Sequence, residues 1–330
     1  MLTQPLIETL LTESPRQIQF EGRCCLRARF NKNECSACVD QCSSNALVLT
    51  GRTIVFNPEK CTSCMHCVAV CPNDAFSHTI DTVSFLQRLA EKNAVIFSCK
   101  KGISNPDHVL IPCVGFFSEP LLAAMNSITK DDCCIDISRC AECVNGHCEE
   151  ILHENIQNLN TKMGGNGKIR LKFLSEKQLG LPSDEKTERR SFLRLVRNKI
   201  ADMGRDAVTF QLSDSAETKK SHSKNQTRNT AILHYVLTIV PDERVYEKEV
   251  LLSYFFSVSA NEQCDCCPSC TGMCPTGALK RKKEKDKKHL TFTSINCSGC
   301  GLCVQFCRKN ALTMKSGFSG DPYIVASIAD

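Results

Sequence analysis

The chain has 330 residues, 25 of them cysteine, with 4 tyrosines, no tryptophan and a formal net charge of +5. That length excludes one small unit and allows two or three domains, each with its own core. The mild charge gives no composition-based reason to expect nucleic acid or an anionic membrane surface, and the thiol density leaves two uses, a disulfide scaffold or metal sites.

Residues 1–20 carry Pro5, Glu8, Glu13 and Pro15, with no basic stretch ahead of an apolar run and no small-residue cleavage site. They do not read as an export signal, so the expectation is a cytoplasmic protein whose thiols bind metal. The apolar stretches at 231–240 and 250–258 are interrupted by His234, Ser253 and Ser257. Both fall short of the roughly 20 residues that span a bilayer, so no membrane span is expected.

In the first cysteine-rich stretch, Cys61, Cys64, Cys67 and Cys71-Pro72 follow the spacing C-x2-C-x2-C-x3-C-P. A 4Fe-4S cubane needs one thiolate at each iron corner, and a tight loop can supply three of them while its N–H groups point at the sulfurs. Proline after the fourth cysteine predicts the first turn of a helix there. Upstream, Cys35, Cys38 and Cys42 match the second to fourth positions of the same run, but its first position is Lys32, so a substitute thiolate is needed, and Cys24 or Cys25, about ten residues before Cys35, could fold back to supply it. Between the two runs, residues 46–49 and 53–56 read as a β-hairpin turning at Gly51-Arg52.

The middle of the chain alternates short apolar runs at 94–97, 109–111 and 134–137 with helix-like stretches at 119–128 and 149–159. A last strand at 169–174 follows the turn 164–167, completing a small α/β unit. Its thiols are Cys99, Cys113, Cys133, Cys134, Cys140, Cys143 and Cys148. Beyond it the chain turns polar: 188–203 has apolar residues at helical spacing and 213–229 reads as a linker. Arg189-Arg190 opens no twin-arginine signal, because a charged stretch follows where the apolar region should be.

At the far end Cys264, Cys267, Cys270 and Cys274-Pro275 form one full run, and Cys297, Cys300, Cys303 and Cys307 another. Residues 278–279 and 290–293 read as strands around the basic loop 280–289, a solvated tip or a dock for an acidic redox partner. No aromatics interleave with these charges, which argues against nucleic acid.

On these motifs, residues 24–80 and 260–315, about a third of the chain, resemble two-cluster 4Fe-4S bacterial ferredoxin domains in tandem. The resemblance implies an α+β chain with two ferredoxin-like domains flanking a small α/β domain, and electron transfer as the activity. In that family the fourth cysteine of each run ligates the other cluster. The implied sets are Cys24 or Cys25 with Cys35, Cys38 and Cys71; Cys42 with Cys61, Cys64 and Cys67; Cys264, Cys267 and Cys270 with Cys307; and Cys274 with Cys297, Cys300 and Cys303. Zinc is the rival, but its four-cysteine sites usually pair two knuckles across a longer spacer. His66 and His147 sit beside cysteines and are not needed as ligands.

The order Cys99, Cys113, Cys140, Cys143 and Cys148 resembles the delta subunit of methyl-viologen-reducing hydrogenase, which implies a further 2Fe-2S cluster. Lys100-Lys101 stands where that family places a second cysteine; the plainer reading is that several of these thiols are buried small hydrophobes. The expected division is 1–82, 83–180, a polar helix and linker at 181–230, and 231–330. The expected role is a non-catalytic relay in a cytoplasmic complex, with a hydrogenase, disulfide reductase or molybdenum oxidoreductase as partner. An oxidoreductase core acting through the middle domain, and an iron–sulfur redox sensor, are the alternatives.

Overall fold

A computed structural model describes residues 18–91, 95–102, 108–164, 167–175, 226–284 and 287–320, with the backbone of 328–329. The expected helix at 188–203 lies outside them, as does nearly all of the polar linker. The architecture mixes helix and sheet, α+β in class. The first cysteine-rich stretch is made of short pieces: β1 (Gln19–Phe20), α1 (Leu26–Arg29), α2 (Ala37–Asp40), β2 (Leu47–Thr50), β3 (Thr53–Phe56), α3 (His66–Val70) and β4 (Phe76–Ser77). β2 and β3 form the antiparallel hairpin, Leu47 opposite Phe56, and β1 pairs antiparallel with β4. Gly51, at φ +60°, supplies the left-handed residue that their tight turn needs.

The middle holds α4 (Thr82–Ala90), β5 (Val95–Cys99), β6 (Val109–Ile111), α5 (Glu119–Ile128), β7 (Cys133–Asp136), α6 (His147–Lys162) and β8 (Leu171–Leu174). The strands form one parallel sheet in the order β6-β5-β7-β8. A parallel sheet is covered on both faces, which is why β7 is buried along its whole length. From Leu121 to Ile128 every residue of α5 is buried, so this helix needs partners on all sides.

Those partners include α7 (Arg228–Ile239) and α8 (Val245–Ser253), which pack on α5. By sequence, residues 231–255 group with the C-terminal cysteines. In the fold Ile232, Leu233, Val236, Val250 and Leu251 instead share one core with Leu122 and Met125, because α5 offers the apolar surface they need. Arg244 bonds the carbonyls of Ser127 and Thr129 where α5 ends, and Arg170 meets Glu247 at 3.3 Å with both side chains largely buried. The backbone N–H of Arg228 donates to Asp74 at 2.6 Å, fastening α7 to the cysteine-rich stretch.

The C-terminal part consists of β9 (Phe256–Ala260), α9 (Ser269–Met273), β10 (Leu279–Glu284), β11 (Lys287–Phe292), α10 (Leu302–Gln305), β12 (Leu312–Ser316) and β13 (Ile328–Ala329). β9 pairs antiparallel with β12, and β10 with β11. The basic stretch is therefore mostly strand: the ladder runs from Leu279 opposite Phe292 to Glu284 opposite Lys287. Val258, Leu279, Leu290, Phe292 and Leu312 form a second, smaller core with the local cysteines. Among the described residues, no helix is long and apolar enough to cross a membrane.

Candidate metal centres

The cysteine loops are shaped by their backbones. Where a helix was expected after Cys71-Pro72 and Cys274-Pro275, the chain makes a turn, and the short helices α3 and α9 come before the cysteine instead. The residue preceding proline is pushed out of the α region, and both cysteines are extended, at ψ 115° and 116°. Three residues after each fourth cysteine the chain is left-handed: Asn45, Asp74, Gly277 and Asn310 have φ of 51°, 49°, 70° and 48°. These are residue types that tolerate this region. A buried alanine follows each, Ala46, Ala75, Ala278 and Ala311, and its carbonyl accepts an N–H from the neighbouring chain segment at 2.8–2.9 Å. The pattern of Cys, two residues, a left-handed residue, Ala and an apolar strand start is visible in the sequence, and spacing of cysteines alone passes over it.

This backbone directs N–H groups at sulfur. Ala75 donates to Cys71 Sγ at 3.2 Å, Ala311 to Cys307 Sγ at 3.3 Å and Ser63 to Cys61 Sγ at 3.4 Å. Such bonds favour the thiolate and, on a cluster ligand, tune its potential.

The first gathered set is Cys25, Cys35, Cys38 and Cys71: burial, and then Cys71, Cys35 and Cys25 alongside, push the Cys38 thiol up to about 12. Cys24 lies among other groups; burial and then Glu21 raise its thiol, with Arg29, Asp74 and Arg23 nearby. The second set surrounds Cys67, whose thiol is raised by burial and then by Cys64, Cys61, Cys38 and Cys42. Cys38 lies on α2, which packs against the α3 that carries Cys67, and this makes the two sets neighbours.

The C-terminal thiols gather in the same crossed manner. Burial, then Cys267, Cys264 and, further down, Cys307 push Cys270 up to about 11. Burial, then Cys297, Cys300 and Cys274 push Cys303 up to about 12. Cys274, Cys297, Cys300 and Cys303 line one cavity with Leu279 and Phe292. Cys266, outside both sets, is buried with its Sγ 3.6 Å from the Lys288 carbonyl.

In the middle, Cys99, Cys113, Cys140 and Cys143 line a second cavity beside Lys101 and Arg139. Lys101 Nζ lies 3.6 Å from Cys143 Sγ, and the Asn145 backbone N–H donates to the same sulfur at 3.4 Å. Burial, then Glu149 and the neighbouring thiols, push Cys140 up to about 12. Cys133 and Cys134 sit apart from this cavity as buried residues of β7. Cys148 stands elsewhere, between the middle and the second set. Its thiol hydrogen-bonds Cys64 and Cys113, lowering Cys64 to about 6 against the effect of burial, and lowering Cys113 as well.

The donor atoms of Cys64, His66, His147 and Cys148 all lie within 4.8 Å of one another. His147 and Cys148 are far from Cys64 in sequence, so no spacing rule could pair them. Gly115 makes the meeting possible: a Cβ there would lie 2.3 Å from the Cys64 carbonyl oxygen. Sets of four soft thiols with N–H groups aimed at sulfur fit iron–sulfur clusters and do not suit an oxygen-seeking cation.

A family described as "4Fe-4S dicluster domain" matches residues 33–75. The chain is also similar to a "Ferredoxin-like protein in nif region" of Sinorhizobium fredii (strain NBRC 101917 / NGR234), 42% identical over 45 residues, covering 12% of this chain and 70% of that protein. No solved structure matches.

Proposed function

Because the chain belongs to the 4Fe-4S dicluster ferredoxin family through residues 33–75, we propose that it is an electron relay holding four 4Fe-4S clusters in two ferredoxin-like domains. Bound in these sites, each cluster would take up and return one electron with no bond made to a substrate. Cys25, Cys35, Cys38 and Cys71 hold the first, and Cys42, Cys61, Cys64 and Cys67 the second. Cys264, Cys267, Cys270 and Cys307 hold the third, and Cys274, Cys297, Cys300 and Cys303 the fourth. The observation that carries this reading is the crossed gathering of the C-terminal thiols, Cys307 with one run and Cys274 with the other.

The middle thiols Cys99, Cys113, Cys140 and Cys143 hold a 2Fe-2S cluster, in keeping with the resemblance to the hydrogenase delta subunit. Their shared cavity and the cations Lys101 and Arg139, which would offset a cluster's negative charge, support it. Cys148, the fifth candidate, lies beside Cys113 of this site and Cys64 of the second set and links the two. The protein then serves a cytoplasmic oxidoreductase complex as a non-catalytic subunit, passing electrons to or from a hydrogenase, disulfide reductase or molybdenum oxidoreductase. The exposed cations Lys280, Arg281, Lys282 and Lys283 begin directly after the Cys274 turn, so an acidic face of that partner is steered toward the fourth set.

Iron and acid-labile sulfide per chain on anaerobically purified protein, with zinc assayed alongside, test the reading. About eighteen irons with a rhombic EPR signal beside the cubane signals is the expected result, and about sixteen would remove the 2Fe-2S cluster. Near-stoichiometric zinc with little iron would overturn the electron-transfer role.

A further inference from the structure

The two cysteine-rich ends, more than 180 residues apart in sequence, touch at a small junction next to the ligand loops. Asn33 Nδ2 donates to Gln305 Oε1 at 2.8 Å, while Asn33 Oδ1 accepts the backbone N–H of Cys35 at 3.1 Å. One buried amide therefore holds the first ligand loop with its oxygen and the other half with its nitrogen. Beside it the rings of Phe30 and Phe306 meet edge to face, centroids 5.2 Å apart at 85°. Phe306 is bonded to Cys307 in the chain. Arg29 reaches the carbonyl of Met273, the residue before Cys274, at 3.4 Å. Each of these contacts on the C-terminal side is made by a residue within two positions of a proposed ligand, and on the N-terminal side the contacts come from the segment joining Cys25 to Cys35.

Tunnelling rates fall steeply with distance and with the loss of packed atoms between donor and acceptor. A direct contact made by the neighbours of ligands is what a through-protein route requires; a junction serving only to hold domains together could lie anywhere on their surfaces. We infer that Asn33 and Phe306 position the first and third ligand sets for electron exchange, so that the two halves form one series instead of two independent relays. In each exchange one set is oxidised by one electron and the other reduced by one, no bond forms or breaks, and an outside one-electron donor protein supplies the electron. The inference rests on the ligand sets proposed above. It also orders them: the middle site meets the second set where Cys148 and Cys64 lie within 4.8 Å of each other, the second set meets the first where α3 packs on α2, and the first meets the third here.

The test uses the full chain carrying Cys61→Ala and Cys297→Ala, each removing one ligand from the second and fourth sets. The middle set is disabled in the same chain by Cys140→Ala. About eight irons are expected to remain. Reduced with dithionite, the two remaining centres should show dipolar spin coupling by EPR. Retention of about eight irons with two uncoupled signals overturns the junction alone, and an iron count that does not fall to about eight overturns the ligand sets and the junction with them.

In the otherwise unaltered chain, Asn33→Asp keeps the acceptor for Cys35 and loses the donor for Gln305, and Phe306→Leu loses the ring contact. Both should keep full iron. After flash reduction, redistribution of electrons between the halves should slow by roughly tenfold, the scale at which small misplacements act. Phe306→Tyr should restore the rate, and unchanged rates in both variants would overturn the positioning role.

Discussion

Cys24 and Cys25 are adjacent, yet Cys25 neighbours Cys38 together with Cys35 and Cys71 while Cys24 lies among Glu21, Arg29, Asp74 and Arg23. Cys25→Ser should therefore lower iron by about four atoms per chain and Cys24→Ser should leave it unchanged, as read by iron analysis and the visible spectrum. The half-buried His78 gives a second prediction at this scale. The N–H of Ile80 donates to its Nδ1 at 2.9 Å, and the Arg228 guanidinium lies 3.2 Å from its Nε2. Burial, and then that guanidinium, lower its pKa to about 4. A histidine depressed in the folded state is protonated first in the unfolded chain. Its stabilisation is complete above about pH 6.5 and is lost as pH falls from there toward 4. Between pH 7.5 and 5 the parent chain should lose about 1–2 kcal/mol more stability than His78→Phe does, measured by denaturant unfolding.

Among the elements, the two loops that precede a fourth cysteine's cluster partners solve one geometric problem with different residues. Ser63 and Met65 in one loop, and Gly299 and Gly301 in the other, all have positive φ, from 56° to 71°. Glycine enters this region without strain, whereas a residue with a Cβ pays roughly 1–2 kcal/mol. Ser63→Gly should therefore stabilise the protein by about 0.5 kcal/mol, since relief of strain exceeds the added chain entropy. Gly299→Ala should do the opposite and more strongly, because its Cβ would fall 2.2 Å from the Phe256 ring in addition to the φ of +69°. A loss of about 2 kcal/mol or more, with depleted iron, is expected in thermal melts and iron assays. The four strands of the middle and its helices α5 and α6 were readable from apolar periodicity, whereas α4 was not among the expected elements; the failed helix after proline was not readable either, since proline's fit to a first helical turn competes with its restriction of the preceding cysteine.

Across the whole molecule, the helices α7 and α8 join regions that the sequence keeps apart. Arg170, at the entry to β8, pairs with Glu247 of α8, their side chains 13% and 8% exposed. Glu247→Gln would leave a buried guanidinium without its counter-charge and should cost about 3 kcal/mol, read as a lower unfolding midpoint at unchanged iron content. The cysteine runs, their departure at Lys32, the hairpin between them and the α/β alternation of the middle were all written in local spacing, because a cluster loop and a short periodic element are each made by residues close in sequence. Three things lay beyond it. The placing of Cys25 near Cys38, of Cys148 between Cys64 and Cys113, and of Phe30 against Phe306 depends on which surfaces pack together. Packing is set by three-dimensional complementarity between segments far apart in the chain, and no spacing of residues along one segment records what another will bring to it.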